Sequence, residues 1–174
     1  ERFMQAIEDI EAELDKRIDF FVGKGMDLEA HRIEQRTKFD LEMLREVGSC
    51  KGVENYSLHF DGREVGERPY CLLDFYRYCA EHFHGGVDRY LVIMDESHVT
   101  LPQVGGMFGG DWSRKKNLVD FGFRLPSAHD NRPLKMKEFQ EIIPQMLYVS
   151  ATPGERELRH LAEITGQEIH QGLL

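Results

Sequence analysis

The 174-residue chain is 41% hydrophobic and 30% charged, which is typical of a globular protein and excludes an intrinsically disordered or fibrous one. No apolar run approaches the ~20 residues of a membrane span, and the N-terminal residues show no signal-peptide pattern. The net charge of −9 excludes a protein that wraps nucleic acid over its whole surface, because phosphate contacts require lysine and arginine.

The three cysteines, Cys50, Cys71 and Cys79, are odd in number and lack a CxxC spacing. This usage fits a reducing compartment and predicts a cytoplasmic protein. A zinc site built from Cys71, Cys79, His82 and His84 is the alternative. Isolated residues of these types are more often packing or surface groups, so the zinc site is the less favoured interpretation.

Residues 1–86 are predicted to form an α-helical subdomain. Apolar residues recur every three or four positions over residues 1–22, which indicates an amphipathic helix with one buried face. A second helix is expected from about Leu28. Thr37, followed three residues later by Asp40, resembles a capping box, so a helix is expected to restart there.

The next segment, residues 48–70, contains five turn-forming residues, which predict only short elements: Gly48, Gly52, Gly62, Gly66 and Pro69. A short helix is then expected over residues 72–82, ended by Gly85 and Gly86. It leads into the apolar run that begins at Tyr90.

Two short apolar runs each end abruptly in polar residues. Residues 90–94 predict a strand buried on both faces, followed at once by Asp95 and Glu96. Residues 146–149 predict a second strand, which ends in the small polar stretch 150–153. Because ligands bind beyond the carboxyl ends of parallel strands, both ends are expected to share one crevice.

Paired carboxylates at such a strand end suit nucleotide hydrolysis. One acid can help hold the magnesium ion that bridges nucleotide phosphates, and the other can orient the attacking water. Two alternatives stay open at this point: an ordinary loop that starts with two solvated acids, and a metal-dependent hydrolase that uses Asp95, Glu96 and His98.

Five strings of the sequence are distinctive: DESHVTLPQVGGM (95–107), FGFRLPSAHDNRPL (121–134), YVSATPG (148–154), FDLEMLREVG (39–48) and GVENYS (52–57). They resemble the UvrB family, the damage-verification subunits of bacterial nucleotide excision repair. The resemblance covers most of residues 33–154. The chain departs from the family in extra residues near 75–88, which are interpreted as a surface elaboration, and in Leu58 and His59, where the family usually has an arginine.

The resemblance implies a DNA-dependent ATPase of the UvrABC excinuclease, with ATP and Mg²⁺ as cofactors. Asp95 would help hold Mg²⁺, and Glu96 would activate water. Further polar residues would relay nucleotide state and couple it to the DNA-binding surface: His98, Gln103, Ser150 and Thr152. The partners implied are damaged DNA and subunits of the UvrA and UvrC type.

The fold implied is α/β, with residues 87–174 forming part of a RecA-like (P-loop NTPase, helicase-type) parallel sheet after the helical subdomain. The sequence contains no GxxxxGK[ST] phosphate loop, and the resemblance assigns that loop and a second motor domain to other parts of a longer chain. These residues alone are therefore expected to carry half an active site and not to hydrolyse ATP.

Basic residues concentrate over residues 112–137, which carry seven lysines and arginines against two acids. The glycines at positions 105, 106, 109 and 110 predict a flexible loop before a helix over residues 112–120. The predicted contacts with DNA phosphates and bases are Arg114, Lys115, Lys116, Phe123 and Arg124. A solvated helix face is the alternative for the basic run, and a non-catalytic module that binds protein or DNA is the alternative function.

Overall fold

The computed structural model describes residues 1–166. The helices are α1 (Arg2–Gly23), α2 (Asp27–Val47), α3 (Ser57–Asp61), α4 (Leu72–Phe83), α5 (Ser97–Asp120), α6 (Met136–Ile142) and α7 (Glu155–Thr165), with short 3-10 helices at Val53–Tyr56 and Pro126–Asp130. The strands are β1 (Val92–Met94) and β2 (Met146–Tyr148). Within the described residues, no helix is both long and apolar enough to cross a membrane.

The chain forms two compact units. Unit 1 comprises Glu1–Pro69 and Gly109–Pro133, and unit 2 comprises Tyr70–Phe108 and the described residues from Leu134 on. These compact units describe how the chain packs, and a compact unit is not the same as a domain. The predicted division into domains at 1–86 and 87–174 stays a prediction.

Unit 1 is built on α1 and α2, which pack against each other along apolar stripes. The stripe of α1 confirms the predicted amphipathic helix, because Ile7, Ile10, Leu14 and Phe21 are buried at helical spacing. The rest of the core comes from α2 and the segments packed on it: Ala30, Ile33, Leu41, Leu44, Cys50, Tyr56 and Leu125. Each large side chain buried here contributes roughly 1.5–3 kcal/mol relative to exposure.

The predicted restart of the second helix at Thr37 is wrong, because α2 is continuous. Thr37 and Asp40 are buried rather than at a helix start. The Asp40 carboxylate accepts hydrogen bonds from Arg36 Nε at 3.0 Å and from the Tyr56 hydroxyl at 2.9 Å. A polar side chain with internal partners, such as Asp40, can occupy a buried helix face, and the spacing of Thr37 and Asp40 imitates a capping box.

Unit 2 contains the two predicted strands, paired in parallel. Val92 lies opposite Met146, and Met94 lies opposite Tyr148. The strands are shorter than the apolar runs that predicted them. The predicted burial of the first strand on both faces is wrong, because Met94 is buried but Ile93, on the opposite face, is 61% exposed. Across its described residues the chain is mostly helical, with a small two-stranded parallel sheet.

The predicted flexible loop at positions 105–110 is also wrong. Helix α5 runs unbroken from Ser97 to Asp120, through Pro102 and all four glycines. Glycine costs a helix roughly 1 kcal/mol relative to alanine, and tertiary packing overrides such preferences. Leu101 is buried in the part of α5 that belongs to unit 2, and Val119 is buried in the part that belongs to unit 1.

Helix α4 confirms the helix predicted at 72–82 and carries many of the extra residues near 75–88. Phe75 and Phe83 expose about two thirds or more of their surface, at 67% and 73%. The extra segment therefore lies on the surface of unit 2.

Candidate functional site

The loops after β1 and β2 both leave the parallel sheet at the carboxyl end of its strands. Beyond the last strand pair, the Val149 N–H donates to the Met94 carbonyl at 2.9 Å, and the Ser97 N–H donates to the Val149 carbonyl at 3.1 Å. These bonds hold the two exits side by side. The residues that follow therefore lie at the same end of the sheet in unit 2. They are Asp95 and Glu96 after β1, and Ser150 after β2.

Glu96 has an unusual backbone conformation. Its φ is 45°, and no other non-glycine residue in the described part of the chain has a positive φ. Its N–H donates to the Asp95 carboxylate at 2.9 Å, and its carbonyl accepts the N–H groups of Val99 and Thr100 at 2.9 and 3.0 Å. A left-handed residue other than glycine costs about 1–3 kcal/mol and persists only where its surroundings impose it. Such residues cluster at functional sites, and the Glu96 side chain is exposed to solvent.

His98 links the two strand-end loops through its side chain. Its Nδ1 shares a hydrogen bond with Ser150 Oγ at 2.7 Å and lies 3.3 Å from Glu96 Oε2. Ser150 Oγ in turn accepts the N–H of Thr152 at 3.1 Å. The structure thus brings together Glu96, His98, Ser150 and Thr152, four of the residues to which the sequence assigned catalysis or coupling.

Gln103 lies farther along α5, and its side chain is exposed. Asp95 is exposed as well, with one carboxylate oxygen occupied by the Glu96 N–H. The catalytic, metal-binding and coupling roles of all these residues stay predictions.

The sequence did not single out two buried residues of this site, Ser97 and Glu157. Ser97 is fully buried, and Glu157 is 2% exposed. The Ser97 hydroxyl and the Gly154 N–H both donate to the Glu157 carboxylate. Burial raises the pKa of Tyr148, and the nearby Glu157 charge raises it further. A signal was present in the sequence, because Gly154 and Glu157 have the spacing of a helix N-terminus.

Two of the predicted DNA contacts, Phe123 and Arg124, line a groove in unit 1. The groove has a volume of about 400 Å³. Its lining combines α2 with the segment that follows α5: Arg32, Gln35, Arg36, Phe39, Phe123 and Arg124. The four residues from α2 were not predicted as contacts.

Cationic side chains of this groove are held in place by neighbouring groups. The Arg32 guanidinium lies 4.3 Å from the Phe123 ring centroid and donates to the Phe121 carbonyl at 2.5 Å. Arg36 is held by Asp40 and donates to the Lys51 carbonyl at 2.8 Å. Ordered arginines beside exposed aromatic rings suit a single strand, whose phosphates bind the cations while its bases stack.

The basic run in α5 does not form one charged face. Arg114 and Lys116 are exposed, with Arg114 3.0 Å from Asp111 and Lys116 2.5 Å from Asp120. Lys115 is buried instead; its ammonium lies 2.8 Å from the Asp111 carboxylate and donates to the Asn131 carbonyl. In this conformation Lys115 ties α5 to the following loop.

Comparison with known proteins relates this chain to one family. A family model described as the UvrB third helical domain matches residues 1–62. The chain is 53% identical over 165 residues to the UvrABC system protein B of Natranaerobius thermophilus, a match that covers 95% of this chain and 24% of that protein. Similar matches occur with the same protein of Streptomyces avermitilis, 56% identical over 158 residues (91% of this chain, 21% of that protein), and of Methanothermobacter thermautotrophicus, 51% identical over 169 residues (97% and 25%).

The resemblance to the UvrB family is confirmed. The chain spans about a quarter of the length of these UvrB relatives. The family-model match includes α1, α2 and α3, the helices of unit 1 that precede the extra segment.

The metal-site alternatives gain no geometric support from the described residues. Residues 1–166 contain no group of three or more His, Cys, Asp or Glu side chains that could hold a metal ion. The cysteines proposed for zinc, Cys71 and Cys79, are free thiols.

Proposed function

We propose that this chain forms part of a DNA-dependent ATPase that verifies DNA damage, within a UvrB-type subunit of the UvrABC excinuclease. The observation that carries the proposal is the strand-end group of unit 2. There a strained Glu96 lies 3.3 Å from His98, which is hydrogen-bonded to Ser150 of the second strand exit. The A and C subunits that complete the excinuclease are the proposed protein partners.

The small sheet of unit 2 supports a RecA-like fold for the longer protein. Parallel sheets are normally covered on both faces. Here the alternate residues Leu91, Ile93, Leu147 and Val149 are exposed, Ile93 by 61% and Leu147 by 50%. An apolar face of this kind is suited to helices that would cover one side of a larger parallel sheet.

Asp95 and Glu96 fit the two roles that ATP hydrolysis needs at this strand end. Asp95 would help to hold Mg²⁺, which would supply positive charge to the nucleotide phosphates. Mg²⁺ sites commonly use one or two carboxylates together with phosphate oxygens and waters. Asp95 is exposed and has an oxygen not engaged by the Glu96 N–H, so it can supply one such ligand. Glu96 is exposed beside it and can accept a proton from water.

The proposed metal role predicts the effect of Asp95→Asn in the full-length gene product. The free Mg²⁺ concentration for half-maximal ATP hydrolysis should rise by at least about tenfold, because a neutral amide replaces a charged ligand. The measurement is the rate of phosphate release against free Mg²⁺ in the presence of damaged duplex DNA. The control is Asp88→Asn, which neutralises an exposed acid of unit 2 just before β1.

Two results would count against the proposal. An unchanged Mg²⁺ dependence in Asp95→Asn would remove Asp95 from the metal site. Absence of DNA-stimulated ATP hydrolysis in the full-length protein would instead favour the non-catalytic interaction module.

The groove of unit 1 is proposed as the DNA contact surface. Arg124→Glu is expected to weaken single-strand binding by the full-length protein and to reduce its salt dependence. Each lost phosphate contact should remove roughly 0.7 from the slope of log affinity against log salt concentration. Fluorescence anisotropy of a labelled oligonucleotide, measured at several salt concentrations, provides both quantities.

Charge-reversal variants of other arginines test whether DNA contacts the groove or the basic run of α5. Arg45→Glu reverses an exposed charge on α2 that lies outside the groove and pairs with Glu11, and it should leave the slope unchanged. Arg114→Glu tests the exposed part of the α5 run. A loss of binding in Arg114→Glu but not in Arg124→Glu would move the DNA contact from the groove to α5.

A further inference from the structure

One buried carboxylate joins the two strand-end loops of unit 2. Glu157 is the third residue of α7 and is 2% exposed. One of its oxygens accepts the Ser97 hydroxyl, and the other accepts the Gly154 N–H. Ser97 directly follows Glu96, whereas Gly154 ends the loop that begins at Ser150. A single side chain therefore spans the loop after β1 and the loop after β2.

Ser97 is held at both its backbone and its side chain. Its N–H donates to the Val149 carbonyl at 3.1 Å, and its buried hydroxyl donates to Glu157. Glu96 thus lies between a fixed residue and the Asp95 carboxylate that accepts its N–H at 2.9 Å. These two anchors account for the persistence of its left-handed conformation, φ 45°, since a strained residue needs surroundings that impose it.

We infer that Glu157 is a positioning residue for ATP hydrolysis, an inference that rests on the proposed role of Glu96. Glu157 acts through Ser97: by fixing that hydroxyl it holds the Glu96 backbone in the conformation that aims the Glu96 carboxylate. Because its second oxygen holds the start of α7, a change in the loop from Ser150 to Gly154 reaches Glu96 through the same side chain. Glu157 does not itself contact the reacting atoms.

The test uses Glu157→Gln and Ser97→Ala in the full-length gene product. Glutamine keeps the size of the side chain but loses its charge and one of its two acceptor oxygens, so the Ser97 hydroxyl and the Gly154 N–H can no longer each donate to a separate carboxylate oxygen. The kcat for ATP, measured with Mg²⁺ and damaged duplex DNA, should fall roughly 10- to 100-fold, because a shift of about 1 Å in a catalytic group can cost ~100-fold. The KM for ATP should stay within about threefold, since the lost interaction acts on the transition state.

The matched control is Glu155→Gln in the same turn of α7. The Glu155 side chain is 85% exposed and pairs with Arg159 at 3.1 Å. Its replacement should leave kcat and KM unchanged. Ser97→Ala removes a single hydroxyl and keeps the test decisive if Glu157→Gln does not fold.

A double variant separates positioning from a purely structural role. Glu157→Gln added to Glu96→Gln should lower the residual single-turnover rate no further, because a positioning residue has no effect once its target is removed. A kcat within threefold of the parent in both single variants, or an additive loss in the double variant, would overturn the inference and leave the proposed function standing. Full turnover in Glu96→Gln alone would overturn both.

Discussion

Glu96→Gln in the full-length gene product is expected to lower the kcat for ATP hydrolysis by about 10²- to 10⁴-fold, the contribution of a positioned general base. Glutamine is close in size and retains a carbonyl oxygen, but it cannot take a proton from water. The backbone contacts of Glu96 with Asp95, Val99 and Thr100 do not involve its side chain. The substitution therefore removes the chemistry and leaves the strained loop in place.

Glu96→Gln should lower the turnover of ATP without weakening its binding. Water activation stabilises the transition state more than the bound ground state, so the Kd for ATP should change little. Equilibrium binding of a fluorescent ATP analogue and phosphate release under saturating ATP measure the two quantities. Glu81→Gln, an exposed position on α4 in the same unit, is the control and should alter neither.

Two outcomes would contradict the water-activating role. If Glu96→Gln hydrolyses ATP at the parental rate, another group activates water and the strand-end group has a different function. If ATP binding is lost together with turnover, Glu96 contributes to the bound state and its role is not confined to catalysis.

Much of the strand-end site could be predicted from the sequence, because its signals are local. An apolar run that changes at once to Asp95 and Glu96 marks a strand and its exit, and the run before Ser150 has the same form. Parallel pairing then brings both exits to the carboxyl end of the sheet. The observed register has this effect, because Val92 pairs with Met146 and Met94 pairs with Tyr148.

The features that the sequence did not reveal depend on packing between distant segments. Asp40 and Thr37 looked like a helix start because their spacing fits a capping box, whereas the structure buries both and pairs Asp40 with Tyr56. Lys115 looked like a surface cation because two basic residues flank it, but Asp111 and Asn131 bind its ammonium group. In both cases a partner decides the environment, and the residue pattern alone does not identify that partner.

The groove of unit 1 is a second case in which the sequence pattern does not identify distant partners. Phe123 and Arg124 were recognisable as candidates for stacking and phosphate contact. Their companions Arg32 and Arg36 lie about 90 residues earlier in the chain, as the bond from Arg32 to the Phe121 carbonyl (89 positions apart) indicates. Only the packing of the segment after α5 against α2 makes one surface of them.

The largest stability effect is expected from Phe21→Ala in the core of unit 1. Phe21 is fully buried at the end of the α1 stripe, and removal of a buried phenyl ring costs about 3–5 kcal/mol. For a urea dependence of about 1–2 kcal/mol/M, the unfolding midpoint should fall by roughly 1.5 M or more. The fluorescence of Trp112, the single tryptophan, reports on unit 1, where its ring lies 4.3 Å from His129.

The neighbouring phenylalanine provides a control of the same chemistry. Phe20 is 42% exposed, and its ring contacts the cationic groups of Arg17 and Lys24 at 4.4 and 4.2 Å. Phe20→Ala removes the same atoms from a surface position, so it should cost about 1 kcal/mol, the value of an exposed cation–π contact with some lost burial. If the two variants unfold at the same urea concentration, the α1 stripe is not the core of unit 1.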